Sequence, residues 1–427
     1  MKGYKLISFL LILIYSNAYS QLCTNKIVAG YMPDYRDPTT VDFSKLTHAY
    51  FCFIEATANG GIAPQQNYSV TRLNTMVSLC NAAGTSKLIC VGSGGSIATM
   101  AASSTARKLF ADTLRKYCQF YDLNGVDMDW EAINNATDRS NFELMMGVLH
   151  DTLSKYSLKL VATVGFGDYW LQWYTNQAIQ YADWMQIMVY DQTATWPGSP
   201  FGNHASFAHV QQAEAYWVGR GFNRNFMAIG LPFYGYKFAS IAGGSGTAYT
   251  YSNIVASFPT MDSCANQTPC TDYNFFNGPN LIRKKVNYAI TQGFKGVFIW
   301  ELGQDAAGTN SLLSKVHNEF SKACAGATYN ETCTSELSGC PTPIYENETQ
   351  SFWIHYEKQE ELLSIGNLPI ENGELLIYDL AGKLICQEQL KLNNKEIISI
   401  PLVLKEGIFF TTIKNKETVF CKKIVAQ

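Results

Sequence analysis

Charge is scarce in this sequence, and neither sign dominates. Asp, Glu, Lys and Arg together make up 16 % of the 427 residues, and the formal net charge is −3. Without a strong basic patch, nucleic acid is not an expected partner. Beyond the N-terminus no apolar run reaches the length of a membrane span, so the remainder reads as soluble. No Cys/His spacing resembles a zinc site, and the sequence gives no cofactor.

What the chain does have is apolar mass. Hydrophobic residues make up 47 % of it, enough for a large core. There are 25 Tyr, 24 Phe and 8 Trp. Core packing accounts for much of that, but sugar-binding clefts also need flat apolar surfaces. The length fits one barrel of about 250 residues or more plus an appendage.

The N-terminus reads as a secretory signal over residues 1–20. Lys2 and Lys5 precede the apolar run "LISFLLILIY", and Ala18-Tyr19-Ser20 resembles a small-x-small cleavage site, so the mature chain is expected to start near Gln21. A buried or membrane-anchoring helix is the competing reading, but the run is short for a span. Export permits disulfides among the twelve cysteines. Cys264 and Cys270 form the best local pair, and Cys324, Cys333 and Cys340 cluster in a linker. Cys52 and Cys90 lie in apolar runs and read as small hydrophobes.

Short apolar runs then alternate with helical stretches. The runs are "KIVAGYM", "LTHAYFCFI", "KLICVGSGG", "GVDMDWE", "KLVATVG", "WMQIMVYD", "FMAIGLPFYG" and "GVFIWELG". Helical patterns cover 104–122 and 138–156, the second with Asp138 as its expected N-cap. Eight strand-and-helix repeats over about 300 residues predict a (β/α)₈ TIM barrel within residues 21–322, with a doubly wound open sheet as the alternative. Residues 239–280, rich in Gly, Ser, Thr and Tyr, are long for a simple connection and short for a domain. Residues 323–350 read as a linker. Residues 351–427 read as a small all-β domain, with a hairpin turning around Asp379 to Lys383.

The segment "NGVDMDWEAIN" places three carboxylates two residues apart. In an extended strand Asp127, Asp129 and Glu131 share one face, and Met128 and Trp130 take the other. Each negative charge raises its neighbours' pKa, so one carboxyl stays protonated near neutral pH, as a general acid requires. In a barrel Glu131 lies nearest the C-terminal mouth and is the natural acid. Asp129 can share its proton or stabilise charge on a substrate. A metal site and a structural hydrogen-bonded cluster are the competing readings. Like charges on a buried strand cost stability, which favours a functional explanation.

The segment "GVDMDWE" resembles the DxxDxDxE signature of glycoside hydrolase family 18, the chitinases and related endo-β-N-acetylglucosaminidases. "VAGYMPDY", "LTHAYFCF", "MVYD", "GLPFYGYKF" and "GVFIWELGQD" resemble its other strands in the same order, over roughly residues 26 to 322. The resemblance implies an enzyme that cleaves chitin or other N-acetylglucosamine oligosaccharides by a retaining, substrate-assisted mechanism, an exception to the usual two-carboxylate scheme. Carried over by position, Glu131 is the acid and base, and Asp129 orients the acetamido group. Asp127 supports Asp129, and Tyr190 donates its hydroxyl to the acetamido oxygen. Asp191 lies against the sugar, and Trp300 is the floor under it. Tyr31, Phe51 and Met188 are expected to line the same pocket. Trp196 reads equally as a plus-side platform and as packing, and the same choice stands open for Trp170 and Trp173. An endo-β-N-acetylglucosaminidase acting on N-glycans and a non-catalytic chitin-binding lectin are the other readings, and a monomer is expected.

Two positions depart from the family pattern. Asn124 stands where the signature has its first Asp, and a structural effect is expected. Gly92 stands where a Ser hydroxyl would support the acidic strand. The 239–280 excursion is expected to be less than a full inserted domain, leaving an open groove suited to endo cleavage. The C-terminal domain, in "LLIYDLAGKLI" and "CKKIVAQ", resembles the sorting domains of secreted Bacteroidetes proteins. A carbohydrate-binding module is the alternative, disfavoured because only Trp353 precedes its strands.

Overall fold

The computed structural model describes residues 25–64, 68–166, 172–239, 243–259, 264–267, 273–327, 329, 337–338, 353–358, 360–366, 372–379, 384–391, 398–405, 407–414 and 419–426. The expected leader, Gln21, Trp170, Cys270, Cys333, Cys340 and the hairpin turn 380–383 lie outside the described residues.

Eight parallel strands form a closed barrel: β1 (Ile27–Pro33), β2 (His48–Ala56), β3 (Ser86–Gly95), β4 (Gly125–Met128), β5 (Lys159–Gly165), β6 (Trp184–Met188), β7 (Met227–Pro232) and β8 (Gly296–Trp300). Each pairs with its sequence neighbour, and β8 closes on β1, where Ile27 faces Gly296 and Gly30 faces Ile299. An open doubly wound sheet is thereby excluded.

The strands are apolar on both faces because both are covered. One set of side chains faces the helices: Val28, Phe51, Ile89, Met128, Trp130, Ile187 and Ile229 belong to this outer core. The alternate set fills the barrel: Ala29, Tyr31, Tyr50, Cys52, Leu88, Cys90, Val161, Trp184, Ala228 and Phe298. The surrounding helices start where side-chain oxygens satisfy their first N–H groups. Ser103 caps Ser104–Phe120, and Ser311 caps Leu312–Cys324. The helix expected to start at Asp138 spans Ala136–Leu153 instead. Asn135 is its cap, and Asp138 sits in the first turn, where its N–H donates to Asn135 Oδ1 at 2.9 Å.

The excursion after β7 is a small α+β subdomain. Tyr234–Lys237 pairs antiparallel with Thr247–Thr250 and with Asn274–Phe276, and the last of these pairs with Ala265–Gln267. One short helix, Tyr251–Ser257, follows the second strand. Leu337–Ser338, inside the expected linker, adds to the sheet beside Ala265–Gln267. Cys264 and Cys324 are disulfide-bonded, whereas Cys52, Cys80, Cys90, Cys118 and Cys386 are free.

The C-terminal region is all-β. Trp353–Glu357, Leu362–Gly366 and Ile398–Pro401 form one antiparallel sheet. Asn372–Asp379, Leu384–Lys391, Gly407–Lys414 and Val419–Ala426 form another. Leu363, Ile365, Leu375, Ile377, Phe409 and Ile413 build their common core. Among the described residues no helix is long and apolar enough to cross a membrane.

Candidate active site

The strand carrying the acids is shorter than its sequence pattern. β4 ends at Met128, so Asp127 lies within the ladder and Asp129 and Glu131 lie beyond its C-terminal end. The extended path continues because neighbours hold it. Asp129 N–H donates to Val91 O at 3.0 Å, and Ser93 Oγ donates to Asp129 O at 3.1 Å and accepts from Glu131 N–H. Alternation therefore persists. Met128 and Trp130 point into the outer core, and the acids take the other face.

Asp127 is fully buried and held by three donors. Tyr31 Oη reaches its Oδ2 at 2.6 Å, Thr163 Oγ1 its Oδ1 at 2.7 Å, and Cys90 Sγ its Oδ2 at 3.0 Å. Burial pushes its pKa up to about 6, and the three donors oppose the rise. Asp129 is 4 % exposed, and its Oδ1 is buried without a hydrogen-bond partner among the described residues. Burial, then the Glu131 and Asp127 charges, hold Asp129 well above the usual carboxylate range. Burial, then the Asp191 charge, raise Glu131 to about 6. A row of carboxyls with raised pKa values thus climbs from the barrel interior to its mouth.

The support for Asp127 differs from the sequence expectation, in which Cys90 is apolar packing and a hydroxyl at position 92 would be the support. The β3–β4 register sets Cys90 directly opposite Asp127, and its thiol is the donor from that strand. Gly92 instead lies under Phe53. A Cβ there would stand 3.0 Å from Phe53 Cδ1. Asn124 sits just before β4 at the opposite end from the mouth, where its Oδ1 accepts from Lys87 N–H at 2.9 Å.

The aromatic residues divide. Tyr31 is 1 % exposed and lies below Trp300, ring centroids 5.4 Å apart. Phe53 stacks on Trp300 at 5.7 Å. Met188 and Tyr190 pack with the same inner cluster. Gly230 makes room for Tyr190, since a Cβ there would come within 2.7 Å of Tyr190 Cε1 and 2.9 Å of Phe298 Cζ. Phe51, expected in this pocket, is not there. Strand alternation turns it to the outer core, where it meets Tyr68 edge-on, while Tyr50 and Cys52 face inward. Trp173 packs against the outer core, and Trp196 is 42 % exposed.

Asp191 follows Tyr190 with a left-handed backbone at φ 60°. The inserted subdomain reaches it from the side. Tyr234 Oη and Tyr236 Oη both donate to Asp191 Oδ1, at 2.6 and 3.0 Å. Its N–H points at the buried His204 Nδ1 at 3.4 Å. Sequence reasoning missed Cys90, Thr163, Gln186, Tyr234 and Tyr236 as parts of the site. For Thr163 and Gln186 a signal existed: each is a lone polar residue within an apolar strand run. Among the described residues no group of three or more His, Cys, Asp and Glu is arranged to hold a metal ion.

A (β/α)₈ barrel with a row of buried carboxyls of raised pKa at the C-terminal mouth and aromatic side chains beside them has the makings of a glycosidase. Residues 26–305 match the model for glycosyl hydrolases family 18, and the chain belongs to that family. Chitinase 1 of Aphanocladium album is 22 % identical over 344 residues, covering 66 % of this chain and 80 % of that protein. The chitinase ChiB from the chitin utilization locus of Flavobacterium johnsoniae has a TM-score of 0.61 at 23 % identity, covering 69 % of this chain and 94 % of that one. The chitinase-like agglutinin RobpsCRA from Robinia pseudoacacia has a TM-score of 0.59 at 24 % identity, covering 68 % and 99 %. Residues 357–427 match the secretion system C-terminal sorting domain, and the protein is secreted or carried at the cell surface. It is a chitinase-like glycoside hydrolase.

Proposed function

We propose that this enzyme cleaves β-1,4-linked N-acetylglucosamine polymers, most simply chitin, with retention and with the substrate's own acetamido group as nucleophile. The observation that carries the reading is the buried Asp129 Oδ1, which has no hydrogen-bond partner among the described residues. A buried carboxylate oxygen without a partner is costly unless a ligand donor completes it, and an acetamido N–H is such a donor.

In this reading Glu131, protonated at its raised pKa, gives its proton to the glycosidic oxygen as the C1–O bond breaks. The acetamido carbonyl oxygen attacks C1 and closes an oxazolinium ring. Asp129 accepts the N–H, aligns the carbonyl and balances the positive charge of the ring. The Tyr190 hydroxyl donates to the acetamido oxygen. Glu131, now ionised, takes a proton from water as the water oxygen bonds to C1 and the ring opens. Trp300 lies under the sugar, presenting a flat face to pyranose C–H groups. Asp191, held by Tyr234 and Tyr236, stands against the sugar and raises Glu131.

The test compares release from chitin oligosaccharides with release from a high-mannose glycoprotein, for the wild type and Glu131→Gln. Turnover of the chitin oligomers, abolished by Glu131→Gln, is expected. Glycan release alone would move the substrate to the chitobiose core of N-glycans. Tight binding of chitin oligomers without turnover would make the protein a lectin. We further propose endo action in an open groove, because the described residues of the inserted subdomain hold one short helix. Disaccharide dominating the first turnovers would contradict this.

A further inference from the structure

Gln186 is fully buried inside the barrel, one strand beyond Thr163, and the reaction just described does not use it. Its Nε2 donates to Tyr31 Oη at 2.8 Å and to Thr163 Oγ1 at 3.1 Å. Those two hydroxyls are 2.9 Å from each other, and both also touch Asp127. Each hydroxyl has one proton and several acceptors in reach. It could point at the carboxylate or at the other hydroxyl.

The amide narrows that choice. An N–H donor occupies a lone pair on each hydroxyl and offers no competing acceptor on that side. It thereby favours donation of both protons to Asp127, whose oxygens lie at 2.6 and 2.7 Å. With the amide reversed, its oxygen would face the same hydroxyls and draw the protons away from the carboxylate. The adopted orientation leaves Gln186 Oε1 buried and unpaired among the described residues, which costs stability. Leu88, Val161 and Phe298 fill the same interior at no such cost. A polar side chain retained in the barrel with one end unsatisfied calls for a functional explanation.

We infer that Gln186 is a positioning residue whose amide turns the Tyr31 and Thr163 hydroxyls onto Asp127, so that the proton of the acid row stays at the Asp129–Glu131 end. This rests on the reaction proposed above. The titratable groups around Asp127 are Asp129 and Glu131 on its own segment, Tyr31 on β1, Tyr50 and Cys52 on β2, Cys90 on β3, and Tyr190 beyond β6. None of them carries positive charge. Oriented donors are thus the available means of keeping Asp127 ionised in a fully buried place.

The experiment uses the full chain with Gln186→Leu, similar in size and without polar atoms, and Gln186→Met, unbranched like Gln, neutral at every pH and without an N–H donor. Two profiles are measured from pH 4 to 8. The first is kcat/KM on chitin oligomers. Its acid limb is expected to rise by about one pH unit, because Asp127 without fixed donors takes a proton more readily. The second is Tm relative to the wild type, which needs no turnover. A raised carboxyl pKa gives stability that is lost as pH climbs through it, so the variants' deficit is expected to grow above about pH 6. An even loss of activity with an unmoved limb, together with a Tm offset constant across pH, would overturn the assignment. If Gln186→Leu does not fold, Gln186→Met decides by the same two readouts. If the wild type turns over no chitin oligomer, the proposed function fails, and the Tm profile still decides the role of Gln186.

Discussion

Glu131 should cost the fold stability at the pH where it works. Burial and the Asp191 charge raise its pKa from 4.5 to about 6. Between those values the folded chain holds a proton that the unfolded chain has released. Stability therefore falls as pH climbs through this window and levels off above it. The rise of about 1.5 in pKa corresponds to about 2 kcal/mol at neutral pH. Glu131→Gln abolishes the titration and keeps the shape. It is expected to melt with the wild type near pH 4 and to exceed it by about 2 kcal/mol at pH 7.5. For a barrel of this size that is about 3 °C in Tm. Asp129 pushes in the same direction, since its own rise includes the Glu131 charge. The measurement is a pair of calorimetric melts of the barrel transition across pH 4 to 8, read as the difference between the two proteins so that shared titrations cancel. A difference that does not change with pH, or a wild type ahead at pH 7.5, would refute the reasoning.

Two other substitutions probe the geometry. Phe51→Leu, on the outer core, should destabilise by about 1–2 kcal/mol in chemical denaturation and leave KM for chitin oligomers within about twofold. A raised KM at unchanged stability would put Phe51 back in the pocket. Gly230→Ala drives a methyl against Tyr190 and Phe298, so kcat should fall about tenfold or more in a protein still folded by circular dichroism. Unchanged kcat would mean that the Tyr190 position is not critical.

The barrel was legible because its signals are local. Eight apolar runs separated by helical periods name a (β/α)₈ fold without any knowledge of pairing, and three acids at alternate positions name a face. What escaped depends on register or on distant pairing. Phe51 and Tyr50 are both aromatic and both fully buried, and in a strand covered on both sides hydrophobicity does not say which one faces in. That Cys90 rather than residue 92 supports Asp127 follows from the β3–β4 register, which neither strand states alone. The inserted sheet was hidden because Tyr234–Lys237 finds partners 10 to 41 residues away, across a stretch whose Gly and Ser content reads as loop. Asn135 and Asp138 are both good caps, and only the helix start separates them.

The free thiols of the barrel give the exported enzyme a built-in gauge of its own opening. Cys52, Cys80, Cys90 and Cys118 are sealed from solvent, while Cys264 and Cys324 have already been oxidised outside the barrel. In an oxidising medium these four survive as thiols only while helices and strands stay packed over them. Their rate of modification by a small thiol reagent follows the population of barrels that have come apart. The thiol that steadies the catalytic row is then also one that an oxidant reaches only by undoing it.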